Sequence, residues 1–117
     1  MLIVEDDTDV REMLEMFLVH SGYTISSAAN GAEALERMRE QQPSLVLLDM
    51  MMPVMSGWEF RERQIADAEL AKVPVVCITA VADPKAVSDK LGLQCMSKPV
   101  DLEALIAVVH KACHRAP

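Results

Sequence analysis

The stretch Ser44-Leu45-Val46-Leu47-Leu48-Asp49 decides the fold class of this 117-residue chain. The run Leu45–Leu48 is apolar at every position, which is typical of a strand that is buried on both faces of a sheet. Strands of that kind occur in parallel sheets that helices cover on both sides. Asp49 follows the run directly, so we expect a carboxylate at the carboxyl end of a buried strand.

Short apolar runs alternate with longer stretches of helical period on both sides of Leu45–Leu48. The other predicted strands are Leu2–Val4, Tyr23–Ala28, Pro74–Thr79 and Gln94–Ser97. A face with the i, i+3, i+4, i+7 spacing of a helix follows the first strand and consists of Val10, Met13, Leu14, Phe17 and Leu18. Five strands that alternate with five helices predict an α/β fold, in which a five-stranded parallel sheet carries helices on both faces.

Capping and stop residues predict where the helices begin and end. Asn30, Ser56 and Asp101 occupy N-cap positions, and Asp83 followed by Pro84 predicts the start of the fourth helix. The residues that predict helix ends are Gly22, Pro43 and Gly92.

Composition and charge limit the classes of function. The chain has 11 Lys and Arg against 18 Asp and Glu, a formal charge of −7, which argues against a nucleic-acid-binding surface. No apolar run is long enough to span a bilayer, and the three cysteines lack C-x-x-C spacing. We therefore expect a single domain over residues 1–117, in the reducing environment of the cytoplasm, without a disulfide framework or zinc site.

The chemistry-bearing residues follow the predicted strands. Strand 1 ends in Glu5-Asp6-Asp7, strand 3 in Asp49, strand 4 in Thr79 and strand 5 in Ser97-Lys98. In open parallel sheets the ligand site lies beyond the carboxyl ends of the strands. The sequence therefore predicts that carboxylates, a hydroxyl and an ammonium group meet at one edge of the sheet.

Carboxylates held close together repel one another unless a cation or a shared proton relieves the repulsion. Oxygen ligands suit Mg²⁺, which we expect on Asp6 and Asp7, although Asp7 taken alone is more typical of a helix cap. Asp49 could then act as a nucleophile that forms an aspartyl phosphate. Lys98 would neutralise charge, and Thr79 would offer its hydroxyl to a phosphoryl oxygen.

Five motifs, in this order along essentially the whole chain, resemble the receiver domain of two-component response regulators. They are Val4-Glu5-Asp6-Asp7, Leu45-Val46-Leu47-Leu48-Asp49, Met52-Pro53-Val54-Met55-Ser56-Gly57, Ile78-Thr79-Ala80 and Lys98-Pro99. The resemblance implies a flavodoxin-like (βα)5 fold with strand order 2-1-3-4-5.

The resemblance also implies the roles of the site residues. Asp49 would be the phosphoacceptor, and Mg²⁺ would be bound by Asp6, Asp7, Asp49 and the main-chain carbonyl of Met51. Thr79 would be the switch hydroxyl and Lys98 the ammonium of the site, with a cis peptide bond between Lys98 and Pro99.

The partners implied by the resemblance are a histidine kinase or a histidine phosphotransfer protein as phosphodonor, and an unidentified downstream protein. That downstream protein would recognise the surface formed by helix 4, strand 5 and helix 5. The module would phosphorylate and dephosphorylate itself but would turn over no separate substrate, so it would not be an enzyme in the usual sense.

Three departures from the family pattern bear on signalling. Cys95 lies three residues before Lys98, where the family usually has Tyr or Phe, so we expect the output signal to be weakened or built differently. Met51 and Val81 are apolar at positions that usually tune phosphate lifetime, so we expect slow autodephosphorylation. The interval from Thr79 to Lys98 is about one helical turn shorter than usual, which predicts a short fourth helix.

Three other classes of protein are alternatives to the receiver domain. A phosphatase of the haloacid dehalogenase type needs a second Asp two residues after the nucleophile, where this chain has Met51. A flavodoxin-like cofactor binder needs a phosphate loop after strand 1, where Glu5-Asp6-Asp7 would repel phosphate. A degenerate receiver that binds a partner without phosphorylation remains as the second interpretation, because of Cys95.

Overall fold

The computed structural model describes residues 1–50, 55–80, 84–98 and 100–113. Five strands form one sheet: β1 (Leu2–Val4), β2 (Ser26–Ala28), β3 (Val46–Asp49), β4 (Val75–Thr79) and β5 (Gln94–Ser97). The helices are α1 (Thr8–His20), α2 (Gly31–Glu40), α3 (Gly57–Ala66), α4 (Pro84–Leu91) and α5 (Leu102–Cys113). None of the helices in the described ranges is long and apolar enough to cross a membrane.

The sheet has the order β2-β1-β3-β4-β5, and each pair of neighbouring strands is parallel. The predicted α/β class and strand order are therefore confirmed. The register places Val4 beside Leu48 and Asp49 beside Ile78, so β1, β3 and β4 end at nearly the same height. This common edge is where the side chains that follow the strands can meet.

The sheet separates two apolar clusters. The side chains of β1 alternate between them, with Leu2 and Val4 on one face and Ile3 on the other. Buried residues of α2, α3 and α4 complete the first cluster, and buried residues of α1 and α5 complete the second. Helices therefore cover both faces, as the unbroken apolar runs of β3 and β4 predict.

Several boundaries differ from the sequence prediction. Strand β2 begins at Ser26 rather than Tyr23, so only three residues pair at this edge of the sheet. A 3₁₀ helix at Leu70–Lys72, which was not predicted, precedes β4. Helix α4 has 8 residues, the fewest of the five, as the short interval before Lys98 predicts. Asp83, the predicted N-cap of α4, lies outside the described residues.

Gly57 is the first residue of α3 and lies against the end of β3. A Cβ atom at this position would lie 2.6 Å from Met50 Cα and 3.1 Å from the Asp49 carbonyl oxygen. The Gly57 amide donates a hydrogen bond of 3.1 Å to the Met50 carbonyl. The absence of a side chain therefore lets α3 begin directly beside the residues that end β3.

Gly57→Ala should destabilise the protein, because rigid main chain must move to admit the methyl group. We expect a loss of about 1–3 kcal/mol in the free energy of unfolding, measured by urea denaturation. Gly31→Ala is the matched control, since Gly31 is the first residue of α2 and the three atoms nearest to its added Cβ all belong to the Met55 side chain, which can move. An equal loss in both variants would contradict the role given to the close approach at Gly57.

Candidate functional site

The carboxyl edge of the sheet brings together three carboxylates. Glu5, Asp6 and Asp49 each place a carboxylate oxygen within 4.8 Å of the others. Glu5 and Asp49 are buried, with 2% and 3% of their surface exposed, whereas Asp6 is exposed. Two unit charges at this separation repel by roughly 3 kcal/mol at an effective dielectric constant near 20. The cluster therefore favours a cation or a proton in its midst.

Lys98, which follows the edge strand β5, provides a cation. Its Nζ donates hydrogen bonds to Glu5 Oε1 at 2.7 Å and to Asp49 Oδ2 at 3.3 Å. Burial lowers the pKa of the Lys98 ammonium, but the hydrogen bond to Glu5 and the charge of Asp49 outweigh that effect and raise it above its ordinary value. Lys98 is thus held in its charged form between the two buried carboxylates.

The pKa of Glu5 also responds to this environment. Burial, followed by the hydrogen bond and the negative charge of Asp49, raises the pKa of Glu5 to about 7, against the opposing effect of Lys98. The main chain of Glu5 is fixed by Arg11, whose Nη1 donates to the Glu5 carbonyl at 2.8 Å. Its Oε2 also accepts the Asp7 amide at 3.4 Å. Glu5 therefore holds a fixed carboxyl group that a proton or a cation can neutralise.

Asp7 is the N-cap of α1, the role that this residue taken alone predicts, and its Oδ1 accepts the main-chain amides of Asp9 at 3.0 Å and Val10 at 3.2 Å. The three carboxylates that approach one another are those of Glu5, Asp6 and Asp49. The role of Asp7 in binding Mg²⁺ stays a prediction. The signal for Glu5 was present in the sequence, because Glu5 follows Val4 just as Asp49 follows Leu48, and Val4 and Leu48 are neighbours in the sheet.

Thr79 ends β4 with no exposed surface. It pairs with Ser97 in the sheet, and its carbonyl accepts the Lys98 amide at 2.9 Å. The main chains of Thr79 and Lys98 are therefore joined at the same edge as Asp49. Three further predictions, the Met51 carbonyl, the apolar side chain of Val81 and the Lys98–Pro99 peptide bond, fall on positions outside the described residues.

Cys95 lies directly opposite Cys77 in the β4–β5 register. Cys77 is fully buried, and Cys95 is partly buried against the same apolar cluster. Burial raises the pKa of both thiols. Both are therefore protonated near neutral pH, and Cys95 fills far less space than the aromatic residue for which it substitutes.

Trp58, in the first turn of α3, contacts α4. Its ring packs against the apolar cluster below α3, and Lys90 Nζ lies 5.1 Å from the ring centroid. A contact of this kind is a cation–π interaction between α3 and α4. Since Trp58 is the only tryptophan, its fluorescence reports on this side of the molecule alone.

The stability of the metal-free protein should depend on pH through Glu5. Between pH 4.5 and about 7 the folded protein binds a proton that the unfolded chain has lost, so stability falls as pH rises through this window. Between about pH 5 and pH 8 in EDTA, we expect urea denaturation to show roughly 2 kcal/mol less loss for Glu5→Gln than for the wild-type protein. Parallel pH profiles for the two proteins would contradict this assignment.

Comparisons with known proteins agree with this geometry. The family model "Response regulator receiver domain" matches residues 1–110. The chain is 34% identical to "Response regulator Rre1" of Synechocystis sp. over 119 residues, which cover 98% of this chain and 52% of that protein. It is 35% identical to "Transcriptional regulatory protein CrdR" of Helicobacter pylori over 112 residues, 93% of this chain and 52% of that protein. The chain spans about half the length of the curated relatives it matches.

Solved structures show the same fold. A putative response regulator from Chloroflexus aurantiacus superimposes with a TM-score of 0.89 at 28% identity, covering 97% of this chain and 96% of the other. The signal receiver domain of a histidine kinase from Syntrophus aciditrophicus gives 0.88 at 29% identity, covering 99% and 92%. From the sheet order, the acidic edge and the match over residues 1–110, we conclude that the chain belongs to the response regulator receiver domain family.

Proposed function

We propose that residues 1–117 form one receiver domain in which Asp49 accepts a phosphoryl group from a phospho-histidine donor. The observation that carries the proposal is the Lys98 ammonium, which contacts Asp49 beside a cluster of three carboxylates at the sheet edge. Receiver domains are signalling modules rather than enzymes that turn over a separate substrate, and we propose the same for this chain. A histidine kinase or histidine phosphotransfer protein would be the donor, in the cytoplasm.

The donor set fits Mg²⁺. Three carboxylates face one ammonium group among the described residues of the edge, so the local charge is two negative when all are ionised. We propose that Glu5, Asp6 and Asp49 hold the ion, in place of the pair Asp6 and Asp7 expected at first. When bound, Mg²⁺ would neutralise charge on the phosphoryl oxygens during transfer.

The proposed transfer step uses the side chains of this edge. A carboxylate oxygen of Asp49 forms a bond to phosphorus while the phosphorus–nitrogen bond of the donor breaks. The electron pair goes to the imidazole nitrogen of the donor. Lys98 remains beside the new aspartyl phosphate and balances part of its charge, and Thr79 offers its hydroxyl to a phosphoryl oxygen.

The output of the module is proposed to pass through the surface of α4, β5 and α5. New contacts of the phosphoryl group with Thr79 and Lys98 would move the ends of β4 and β5, which are joined by the hydrogen bond between these two residues. Cys95 lies in β5, one of the elements of this surface. Because its thiol is small, we expect the surface to change shape less than one with an aromatic side chain at this position.

Incubation with Mg²⁺ and a small-molecule phosphodonor should add one phosphoryl group to the wild-type protein, as measured by intact mass spectrometry. Asp49→Asn and an EDTA control should abolish the adduct, because one removes the nucleophile and the other the ion. Asp89→Asn, an acid-to-amide change on the exposed side of α4, is the matched control and should be modified normally. Absence of the adduct in the wild-type protein would favour the alternative, a binding module that works without phosphorylation.

Magnesium affinity distinguishes Glu5 from Asp7. Glu5→Gln should weaken Mg²⁺ binding by about tenfold or more, whereas Asp7→Asn should change it by less than about twofold, since asparagine still caps α1. Both variants lose one negative charge, so they control for the net charge of the chain. Isothermal titration calorimetry gives the affinities, and Trp58 fluorescence provides a second readout. A larger effect of Asp7→Asn would restore the pair Asp6 and Asp7.

A further inference from the structure

A cavity of about 1060 Å³ lies at the amino-terminal edge of the sheet, at the opposite end of the strands from the acidic cluster. The first residues of β4 and β5, the 3₁₀ helix, one residue of α3 and the end of α5 form its walls. Its volume is that of a small-molecule site. The receiver function described above makes no use of this edge.

The charge of this cavity is opposite to that of the whole chain. Arg61, Lys72 and Lys111 line it, and no Asp or Glu is among the described residues of its walls. The chain as a whole has 18 acidic against 11 basic residues. Three of the eleven cations therefore meet at one concave surface, which attracts an anion.

Arg61 is the best-defined of the three cations. Its Nη1 donates to Gln64 Oε1 at 2.8 Å, but its buried Nε has no hydrogen-bond partner. No carboxylate in the described ranges forms an ion pair with it, and burial lowers the pKa of its guanidinium group. Burying a donor without a partner is costly, and an anion in the cavity would compensate the charge of this guanidinium group.

Gln64 keeps the Arg61 side chain in place. The Gln64 amide is fully buried and donates to the carbonyls of Leu70 at 2.9 Å and Val73 at 3.0 Å. Because both amide donors of Gln64 bond to main chain, its oxygen is fixed toward Arg61. The guanidinium group is therefore positioned before any ligand arrives, which reduces the entropic cost of binding.

Apolar side chains also line the cavity. Val73, Val75, Leu93 and Val108 line the cavity together with the three cations. Lys72 forms an exposed ion pair with Glu69 at 3.6 Å, which is weak and easily exchanged. A matching ligand has a short apolar body and a compact group with more than one negative charge.

We propose that this cavity binds a small organic phosphate, with its phosphate group on Arg61, Lys72 and Lys111 and its apolar body against the valine and leucine side chains. Guanidinium groups favour phosphate because their donors match its oxygens in pairs. The site is independent of phosphorylation at Asp49, which belongs to the other end of the sheet.

The test is a two-dimensional ¹H–¹⁵N NMR titration of the full chain with hexyl phosphate. We expect the Nε–H signal of Arg61 and the amide signals of Gly92, Leu93 and Lys111 to shift together. Hexanol and inorganic phosphate, which each carry half of the proposed chemistry, should bind more weakly. The Asp49→Asn variant should bind hexyl phosphate like the wild-type protein, so failure of the proposed phosphoacceptor role would leave this result unaffected.

Charge variants decide whether the cations recognise the ligand. The double variant Lys72→Gln/Lys111→Gln should weaken hexyl phosphate binding roughly three- to tenfold. The matched double variant Lys85→Gln/Lys90→Gln removes the same charge from α4 and should leave the affinity unchanged. Equal binding of hexanol, equal loss in both double variants, or shifts that do not include Arg61 would each overturn the proposal.

Discussion

The ion pairs of Lys98 with Glu5 and Asp49 join the two halves of the sheet at its functional edge. Neighbouring strands lie about 4.8 Å apart, so the residue that follows β5 is two strands from Asp49 and three from Glu5. Only a long side chain spans that distance. The main chain from which the Lys98 side chain extends is held by the hydrogen bond of its amide to the Thr79 carbonyl. Each of the two buried carboxylates forms an ion pair with this ammonium group.

One ammonium group cannot balance the charge of three carboxylates, and the excess negative charge can be reduced by a proton or by a metal ion. In the metal-free protein burial and the neighbouring Asp49 raise the pKa of Glu5 to about 7, so a proton on Glu5 reduces the repulsion. A divalent cation would replace that proton. The same crowding that costs stability in the empty protein would thus contribute to the affinity for the ion.

The sequence predicted the architecture well, because its signals are local. Unbroken apolar runs identified the buried strands, and Asn30 and Ser56 cap helices as their side chains predict. The 3₁₀ helix before β4 was missed, since it depends on tertiary hydrogen bonds from Gln64. Residues 23–25 were assigned to β2 from their alternation, but they lie outside the paired strand, and Tyr23 and Ile25 pack against the second apolar cluster. At the site, Asp49, Thr79 and Lys98 were placed at the correct edge. The closeness of Glu5 to Asp49 was not predicted, because only the register of β1 against β3 decides which acid faces Asp49.

The division of the interior by the sheet has a consequence for how this chain can evolve. Helices α1 and α5 pack on one face, and α2, α3 and α4 pack on the other, so substitutions in the two apolar clusters touch different neighbours. Effects of mutations at separated sites without shared partners add almost independently. The residues of one apolar cluster can therefore change during evolution while selection keeps those of the other cluster unchanged. A receiver built this way can acquire new partners on one side without rebuilding the opposite side.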